Sequence, residues 1–481
     1  MRVRARYAPS PTGFFHVGGA RTALFNYLYA KHMGGDFILR IEDTDTERNV
    51  EGGIESQINN LEWMGIKIDE SVKNPGKFGP YQQTQKLKRY QELAFKLLEE
   101  GKAYRCFCTK EELDKNRNAA MSGGQTPKYN RHCLYLTKEE IQAKLDAKTP
   151  FTIRLKIEDN TEYSWDDMIR GKVSVPTSAL TDPVILKSNG IPMYNFGVVV
   201  DDHDMQITHV LRGEEHISNT PYQIAIKNAL GWKDDPIQYG HLSVIVNESG
   251  KKLSKRDKSL KQFIQDYQDM GFLPEAIDNF LALLGWAPTN NKEIMSMDEM
   301  ISNFDIKKVS KAPTFFDFKK MLWVGNKYFV AIDENKYLNF VNKFVKVDFA
   351  NFANRKNDII LMFKKQIAYA QELNDLITNT FFKPMDSSKE FRMKLANDVW
   401  QKTLHAFSEQ IGKSKDEISF DEAKQIIDLT KTLSGNKGQD LFMPIRLAIT
   451  GSEHGPELNK IISILGKQLI KERLSKVLLY K

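Results

Sequence analysis

The chain is poor in cysteine and has no long apolar run. Three cysteines occur among 481 residues, all between positions 106 and 133. No stretch approaches the ~20 apolar residues that a membrane-spanning helix needs, which removes integral membrane proteins built on such helices. The first residues alternate arginine with apolar side chains and hold no signal-peptide core, so the expected compartment is the cytoplasm. There is no internal repeat and no low-complexity segment, which sets aside solenoids and disordered tails. Neither sign of charge dominates. The net charge is +7, with 41% hydrophobic and 27% charged residues, the balance of an ordinary soluble protein of roughly three domains. The small surplus is uneven, because residues 331–481 hold 24 Lys or Arg against 19 Asp or Glu. A basic last third suits a polyanionic partner.

Two segments carry chemistry. Residues 3–8 fit a strand that Pro9, Pro11 and Gly13 end, and from Gly19 the spacing of Ala20, Ala23, Leu24, Tyr27 and Leu28 is helical. His16, Val17, Gly18 and Gly19 therefore sit at a helix N-terminus, where unpaired N–H groups favour phosphate. Gly18 and Gly19 lack a Cβ, so a base or ribose could lie on the backbone there, and His16 can donate to a phosphate oxygen. The second segment is Gly250 to Arg256, with Lys251, Lys252, Lys255 and Arg256 framing a Leu253-Ser254 step after an expected strand at 241–246. Such a loop suits closure over a leaving pyrophosphate, although a solvated charge run is the plainer reading.

Taken together, the first segment resembles the HIGH motif and the second the KMSKS motif of class I aminoacyl-tRNA synthetases. The flanks resemble the bacterial glutamyl-tRNA synthetases: Arg6 to Gly13, Arg40 to Asp45, Asp201-Asp202-His203, Arg212 to His216, Phe316-Asp317, and Leu441 to Arg446. The likeness covers nearly the whole chain. Gly19 stands where the HIGH motif has its last histidine. The resemblance implies ATP-dependent attachment of L-glutamate to tRNA(Glu), with Mg²⁺ accompanying ATP. Base contacts in the last domain decide whether tRNA(Gln) is a second acceptor. It implies catalytic roles for His16, Lys252 and Lys255. ATP would also meet Gly18, Gly19, Glu215, His216 and Ser254. Glutamate would lie among Arg6, Ser10, Glu42, Tyr194 and Arg212, and the chain would act as a monomer. The competing reading makes Arg6, Arg40, Glu42 and Asp43 ion pairs at a sheet edge, which is preferred for Asp43 and Asp45. A free-standing nucleotidyltransferase and an inactive RNA-binding relative are the rival functions. The long helical tail weighs against the first and the intact motifs against the second.

Cys106, Cys108 and Cys133 form a plausible set of zinc thiolates. The resemblance implies Tyr129 as the fourth ligand, since Tyr135 stands where some relatives have histidine; His132 is the neighbouring alternative, and three free thiols are the plain one.

The implied fold is α/β: a doubly wound (Rossmann-like) catalytic domain split by an α+β insertion and followed by an all-α anticodon-binding domain. Residues 1–85 read as the first catalytic half, with a helix from Gly19 to about Met33, a strand at 37–41 and a helix at 51–64. A periodic helix over 81–100 leads into the insertion, 86–190, which would receive the acceptor stem. The second half, 191–256, resumes with Val198-Val199-Val200, read as a buried parallel strand delivering Asp201, Asp202 and His203 to its end. Residues 257–328 are a stem-contact region with helices at 260–270 and 274–284 and a stop at Gly285. Residues 329–481 are helical, with helices expected at 333–346, 358–378, 390–409, 421–433, 443–449 and 457–480.

Overall fold

Arg4–Tyr7 forms β1, which Pro9 and Pro11 close because proline brings no N–H to a ladder. Helix α1 (Val17–His32) returns the chain to β2 (Asp36–Leu39), parallel to β1 with Arg4 opposite Asp36 and Tyr7 opposite Leu39. Helices α2 (Gly53–Trp63) and α3 (Leu87–Glu99) follow, then β3 (Ala103–Cys106). Helices α4 (Lys110–Ser122) and α5 (Lys138–Asp146) bury no side chain, and both begin in capping boxes, Thr109 with Glu112 and Thr137 with Glu140. The insertion continues with β4 (Thr152–Leu155), the hairpin β5 (Glu162–Asp167) and β6 (Gly171–Pro176), and β7 (Val184–Leu186). Next come α6 (Tyr194–Asp204), β8 (His209–Gly213), α7 (Thr220–Ala229), β9 (Gln238–Leu242), β10 (Ile245–Val246) and β11 (Thr314–Phe315). The computed structural model describes residues 2–124, 126–253, 261–289, 291–383 and 388–478.

The central sheet runs β2-β1-β8-β9, all parallel. From β1 the chain crosses outward to β2, and from β8 it crosses the other way to β9. The order reverses between β1 and β8, and a crevice opens at the carboxyl ends there. The insertion holds an antiparallel sheet, β3-β4-β7. Its apolar face shares one core with α3, α6 and α7 through Tyr90, Leu97, Ile153, Ile185, Phe196 and Ile226.

The expected strand at Val198–Val200 is a helix, α6. Phe196, Val199 and Val200 join the core just described, and Val198 is buried as well. A helix covered on nearly every side has no polar stripe, so its apolar run cannot be told from a strand by periodicity. Asp201 and Asp202 thus lie at a helix C-terminus, where carboxylates oppose the macrodipole. Cations offset this. Arg6 Nε and Nη2 each lie 3.2 Å from Asp202, Arg40 Nη1 lies 2.6 Å from it, and Lys86 Nζ lies 2.7 Å from Asp201.

The expected strand at 241–246 is two pieces. Between β9 and β10 the Ser243 carbonyl accepts from Arg21 of α1, while Val244 N–H donates to Glu214 at 3.0 Å. These side chains take the ladder's bonds, and the chain leaves the central sheet to pair with β11.

The structure divides into two units, Met1–Asp266 with Ile277–Phe318, and Tyr267–Ala276 with Lys319–Lys481. The second is helical. Phe272 stacks on Tyr369 with centroids 5.1 Å apart, binding residues 267–276 into it. Asp333 caps a helix at Glu334–Val341. The single helix expected at 358–378 is broken into Lys356–Met362 and Glu372–Ile377. Side chains capture the backbone between them, with Asn326 Nδ2 donating to the Ile367 carbonyl at 2.9 Å and Glu372 accepting from Ala368 N–H at 2.5 Å. The helix expected at 390–409 is likewise two, Lys389–Leu395 and Asp398–Lys413, because Asn397 caps the second by accepting from Trp400 N–H at 2.8 Å. Phe420–Ser434, Gln439–Thr450 and Leu458–Ser475 complete it. The Gln439 helix starts earlier than the expected 443, running through Pro444; the Asp440 carbonyl that proline leaves without an N–H accepts from Thr403 Oγ1 at 2.9 Å.

Candidate active site

The carboxyl ends of β1 and β8 and the N-terminus of α1 enclose a cleft of about 460 Å³. His16 is the N-cap of α1, and its Nδ1 accepts from Gly19 N–H at 3.2 Å. An acceptor Nδ1 places the neutral ring's proton on Nε2, which makes Nε2 the donor toward a ligand. Gly18 lines the cleft, and a Cβ on it would lie 3.1 Å from the His16 ring. At Gly19 a Cβ would fall 2.5 Å from the Tyr7 hydroxyl. The second glycine is therefore required by packing against β1, a different reason from the backbone approach its sequence suggested.

The same cleft gathers the residues expected around the amino acid. Arg6, Ser10, Glu42, Tyr194 and Arg212 all line the cleft. Their electrostatics differ. Arg6 is bound to Asp202, and Glu42 to Arg40 at 2.9 Å. For these two the sheet-edge ion pairs and the cleft position coexist. Burial pushes the Glu42 carboxyl above its ordinary value despite Arg40 and Arg6. Asp43 makes no ion pair among the described residues. It accepts from Thr84 N–H at 2.9 Å and Thr84 Oγ1 at 2.7 Å, while Asp45 does pair with Arg48. Arg212 is buried, yet its bonds go to neutral groups: Gln223 Oε1 at 2.9 Å, Thr220 Oγ1 at 2.8 Å and His241 Nε2 at 3.1 Å. Burial lowers its pKa. A buried guanidinium held by neutral acceptors is a site for an anion. Tyr194 Oη meets His216 Nδ1 at 3.2 Å. Burial and then Arg212 drive the His216 imidazole down to about 4, so it is neutral near pH 7.

The basic segment begins as a hairpin. Val246 bridges Lys252, Leu253 N–H donates to the Ile245 carbonyl at 3.1 Å, and Asn247 Oδ1 accepts from Lys251 N–H at 3.1 Å across a turn where Gly250 has φ 72°. This brings Lys252 to the cleft, 3.5 Å from Glu215. Ser254, Lys255 and Arg256 lie outside the described residues.

In the insertion, Cys106, Cys108 and Cys133 have their sulfurs within 4.8 Å of one another. Cys108 and Cys133 are 3.5 Å apart, and Tyr129 Oη lies 3.4 Å from Cys106 and 3.6 Å from Cys108. Tetrahedral zinc bonds of ~2.0 to ~2.3 Å demand ligand–ligand edges of about 3.5 to 3.8 Å. Three edges of the tetrad, at 3.4 to 3.6 Å, lie close to that range, so the residues fit a zinc ion. His132 is exposed and stands outside the cluster, whereas the Tyr129 hydroxyl lies against two of its sulfurs. Burial and the neighbouring sulfurs push the Cys108 thiol up to about 12, whereas Tyr129 and Arg154 outweigh burial at Cys106 and bring it down.

Sequence reasoning missed Arg21, Asp167, Thr220, Gln223 and His241. They come from α1, β5, α7 and β9, and apart from Thr220 and Gln223 on one face of α7 no spacing along the chain links them.

A parallel-sheet cleft with a helix N-terminus on one side and a lysine hairpin on the other is that of a nucleotide-activating ligase. The chain belongs to the class I tRNA synthetases of the E and Q group: that family's catalytic domain matches residues 2–323, and an anticodon binding domain matches residues 334–478. It is 55% identical over 471 residues to the glutamate–tRNA ligase of Malacoplasma penetrans (strain HF-2), covering 97% of this chain and 96% of that protein. The glutamate–tRNA ligase of Geobacillus thermodenitrificans (strain NG80-2) is 46% identical, with 99% and 98% covered. Among solved structures, the glutamate tRNA ligase of Elizabethkingia meningosepticum CCUG26117, in complex with its amino acid, matches with a TM-score of 0.88 at 35% identity, covering 99% of both chains. No described helix is long and apolar enough to cross a membrane.

Proposed function

We propose that this chain joins L-glutamate to tRNA(Glu) at the expense of ATP, working as a single chain in the cytoplasm. The glutamate α-carboxylate attacks the α-phosphorus, the bond to the β-phosphate breaks, and pyrophosphate leaves. The 3′-terminal ribose hydroxyl of the tRNA then attacks the acyl carbon and releases AMP. Alignment and charge stabilisation supply most of the catalysis, since the nucleophile is already ionised. His16 Nε2–H and the α1 N-terminus meet phosphate oxygens, with Gly18 keeping the approach open and Gly19 letting α1 pack on Tyr7. Lys252 and Lys255 receive the charge of the leaving pyrophosphate, Ser254 lies between them, and Glu215 and His216 border the adenosine. Mg²⁺ bound to ATP would supply neutralisation of the phosphate charge. Arg212 takes a glutamate carboxylate, Arg6 assists, Glu42 holds the ammonium, and Ser10 and Tyr194 supply hydrogen bonds. Cys106, Cys108, Cys133 and Tyr129 would hold a structural zinc that ties the end of β3 to the loop around Cys133. Residues 86–190 would carry the acceptor stem, 257–328 would touch the stem, and 329–481 would read the anticodon.

The observation that carries this reading is Arg212, a buried cation whose hydrogen-bond partners among the described residues are all neutral, in the same cleft as the α1 N-terminus. The test is exchange of labelled pyrophosphate into ATP with glutamate, glutamine or neither, with and without tRNA. Exchange that ignores glutamate in both conditions would overturn it.

A further inference from the structure

We propose that Asp167 and His241 are positioning residues that hold Arg212 rigid without neutralising it, so that its charge is kept for a substrate carboxylate. The inference rests on Arg212 being the carboxylate-binding cation.

The geometry is a chain of fixed hydrogen bonds. Arg212 on β8 and His241 on β9 are cross-strand partners. Asp167, at the end of β5, reaches them from the insertion. Its Oδ1 accepts three backbone N–H groups, from Ile169 at 3.0 Å, Arg170 at 2.9 Å and His241 at 3.2 Å. Its Oδ2 meets His241 Nδ1 at 2.5 Å. Burial alone would raise this carboxyl, but the His241 ring and those N–H groups hold it at about 2. An ionised Oδ2 requires a proton on Nδ1, and Arg212 Nε, which can only donate, requires an acceptor at Nε2, so the ring is the neutral form that burial also favours. The lone pair is then on Nε2, where Arg212 Nε–H donates at 3.1 Å.

The other two anchors are as fixed. Thr220 Oγ1 and Gln223 Oε1 take Nη2 and Nη1, and the Gln223 amide is itself held by Asn195 Oδ1 at 3.0 Å. An aspartate in direct contact would orient Arg212 equally well, but it would also consume the charge. One neutral imidazole interposed transmits the orientation and keeps the carboxylate a ring's width away. A rigid, unneutralised guanidinium distinguishes a carboxylate from the matching amide more sharply than a mobile or paired one. Asp167 and His241 thereby become determinants of the choice between glutamate and glutamine.

The substitutions follow from the bonding. In Asp167→Asn the three N–H donors require the carbonyl oxygen to stay at the Oδ1 position, so the amide NH₂ faces His241 Nδ1. The ring must then carry its proton on Nε2, donor against donor with Arg212. His241→Phe keeps the ring and deletes the acceptor, whereas His241→Gln places a carbonyl oxygen where Nε2 was. The full-length chain is assayed by glutamate-dependent pyrophosphate exchange in the presence of tRNA, with folding checked by melting temperature. Asp167→Asn and His241→Phe should raise the glutamate KM roughly 10- to 100-fold, with the ATP KM changed by less than about threefold and the preference over glutamine reduced. His241→Gln should recover most of the loss. Should Asp167→Asn fail to fold, the His241 pair decides alone. An unchanged glutamate KM in folded His241→Phe, while Arg212→Ala loses glutamate use, overturns the positioning role and leaves Arg212 in place. An unchanged glutamate KM in Arg212→Ala overturns both.

Discussion

His16 spends Nδ1 on its own helix, accepting from Gly19 N–H, so whatever it does for a ligand is done by Nε2. The two duties are separable by mutation. His16→Ala loses both, which should cost about 1 kcal/mol of stability for the cap and about a hundredfold in the activation rate for the donor. His16→Asn keeps a side-chain oxygen for Gly19 N–H, so its melting temperature should return toward that of the unmodified chain while the rate does not. A rate that recovers together with stability would show that His16 is a cap and nothing more. Lys255, outside the described residues, is expected to act on the leaving group. Lys255→Ala should lower the rate of activation by roughly two to four orders of magnitude and weaken ATP binding much less. More than about half the activity retained would remove the lysine from the chemistry.

Asp202 shows how the elements are locked, since one carboxylate at the end of α6 receives Arg6 from β1 and Arg40 from just beyond β2. Asp202→Asn leaves two buried guanidiniums short of charge, and the cost should be roughly 3 to 5 kcal/mol in urea unfolding. A loss below about 1 kcal/mol would mean the cations find other partners. In the insertion, purified protein should hold about one equivalent of zinc and Cys108→Ser should lose it, loosening β3 and the loop to Cys133 in hydrogen exchange. Metal-free protein prepared without chelators would favour free thiols. These elements were unequally legible. The strand–helix start at β1 and α1 and the gathering of the three cysteines could be read from sequence because turn residues and chemistry lie close together along the chain. Helix α6 could not, because burial on nearly all sides erases the period that marks a helix. The breaks at 243–244, 367–369 and 396–397 were hidden for another reason: Arg21, Glu214, Asn326 and Glu372 capture backbone groups, the first three from far along the chain, and Asn397 caps its helix inside an unbroken polar–apolar pattern. His241 and Asp167 escaped notice because the fold alone makes them neighbours.

At the scale of the whole molecule, the family has paired a catalytic domain with an anticodon-binding one, and the test of that pairing should leave the chain intact. A cut near Tyr328 would divide the helix Phe318–Ala331 and separate Phe272 from Tyr369, so lost binding would report damage to the helical unit rather than its function. Intact protein titrated with two tRNAs that differ only in the anticodon avoids this. Contacts to phosphate release counterions, so affinity for both should fall with salt, by roughly 0.7 to 0.9 log units per contact for each tenfold rise. Anticodon bases are instead read by stacking and hydrogen bonds to splayed nucleotides, which release few ions. Plotted against the logarithm of salt, the two affinities should therefore form parallel lines, offset by the cost of the changed bases. A common line would mean the helical domain does not read the anticodon. Lines that converge at high salt would place the discrimination in phosphate geometry, with the basic surplus of residues 331–481 reading the shape of the loop and not its bases.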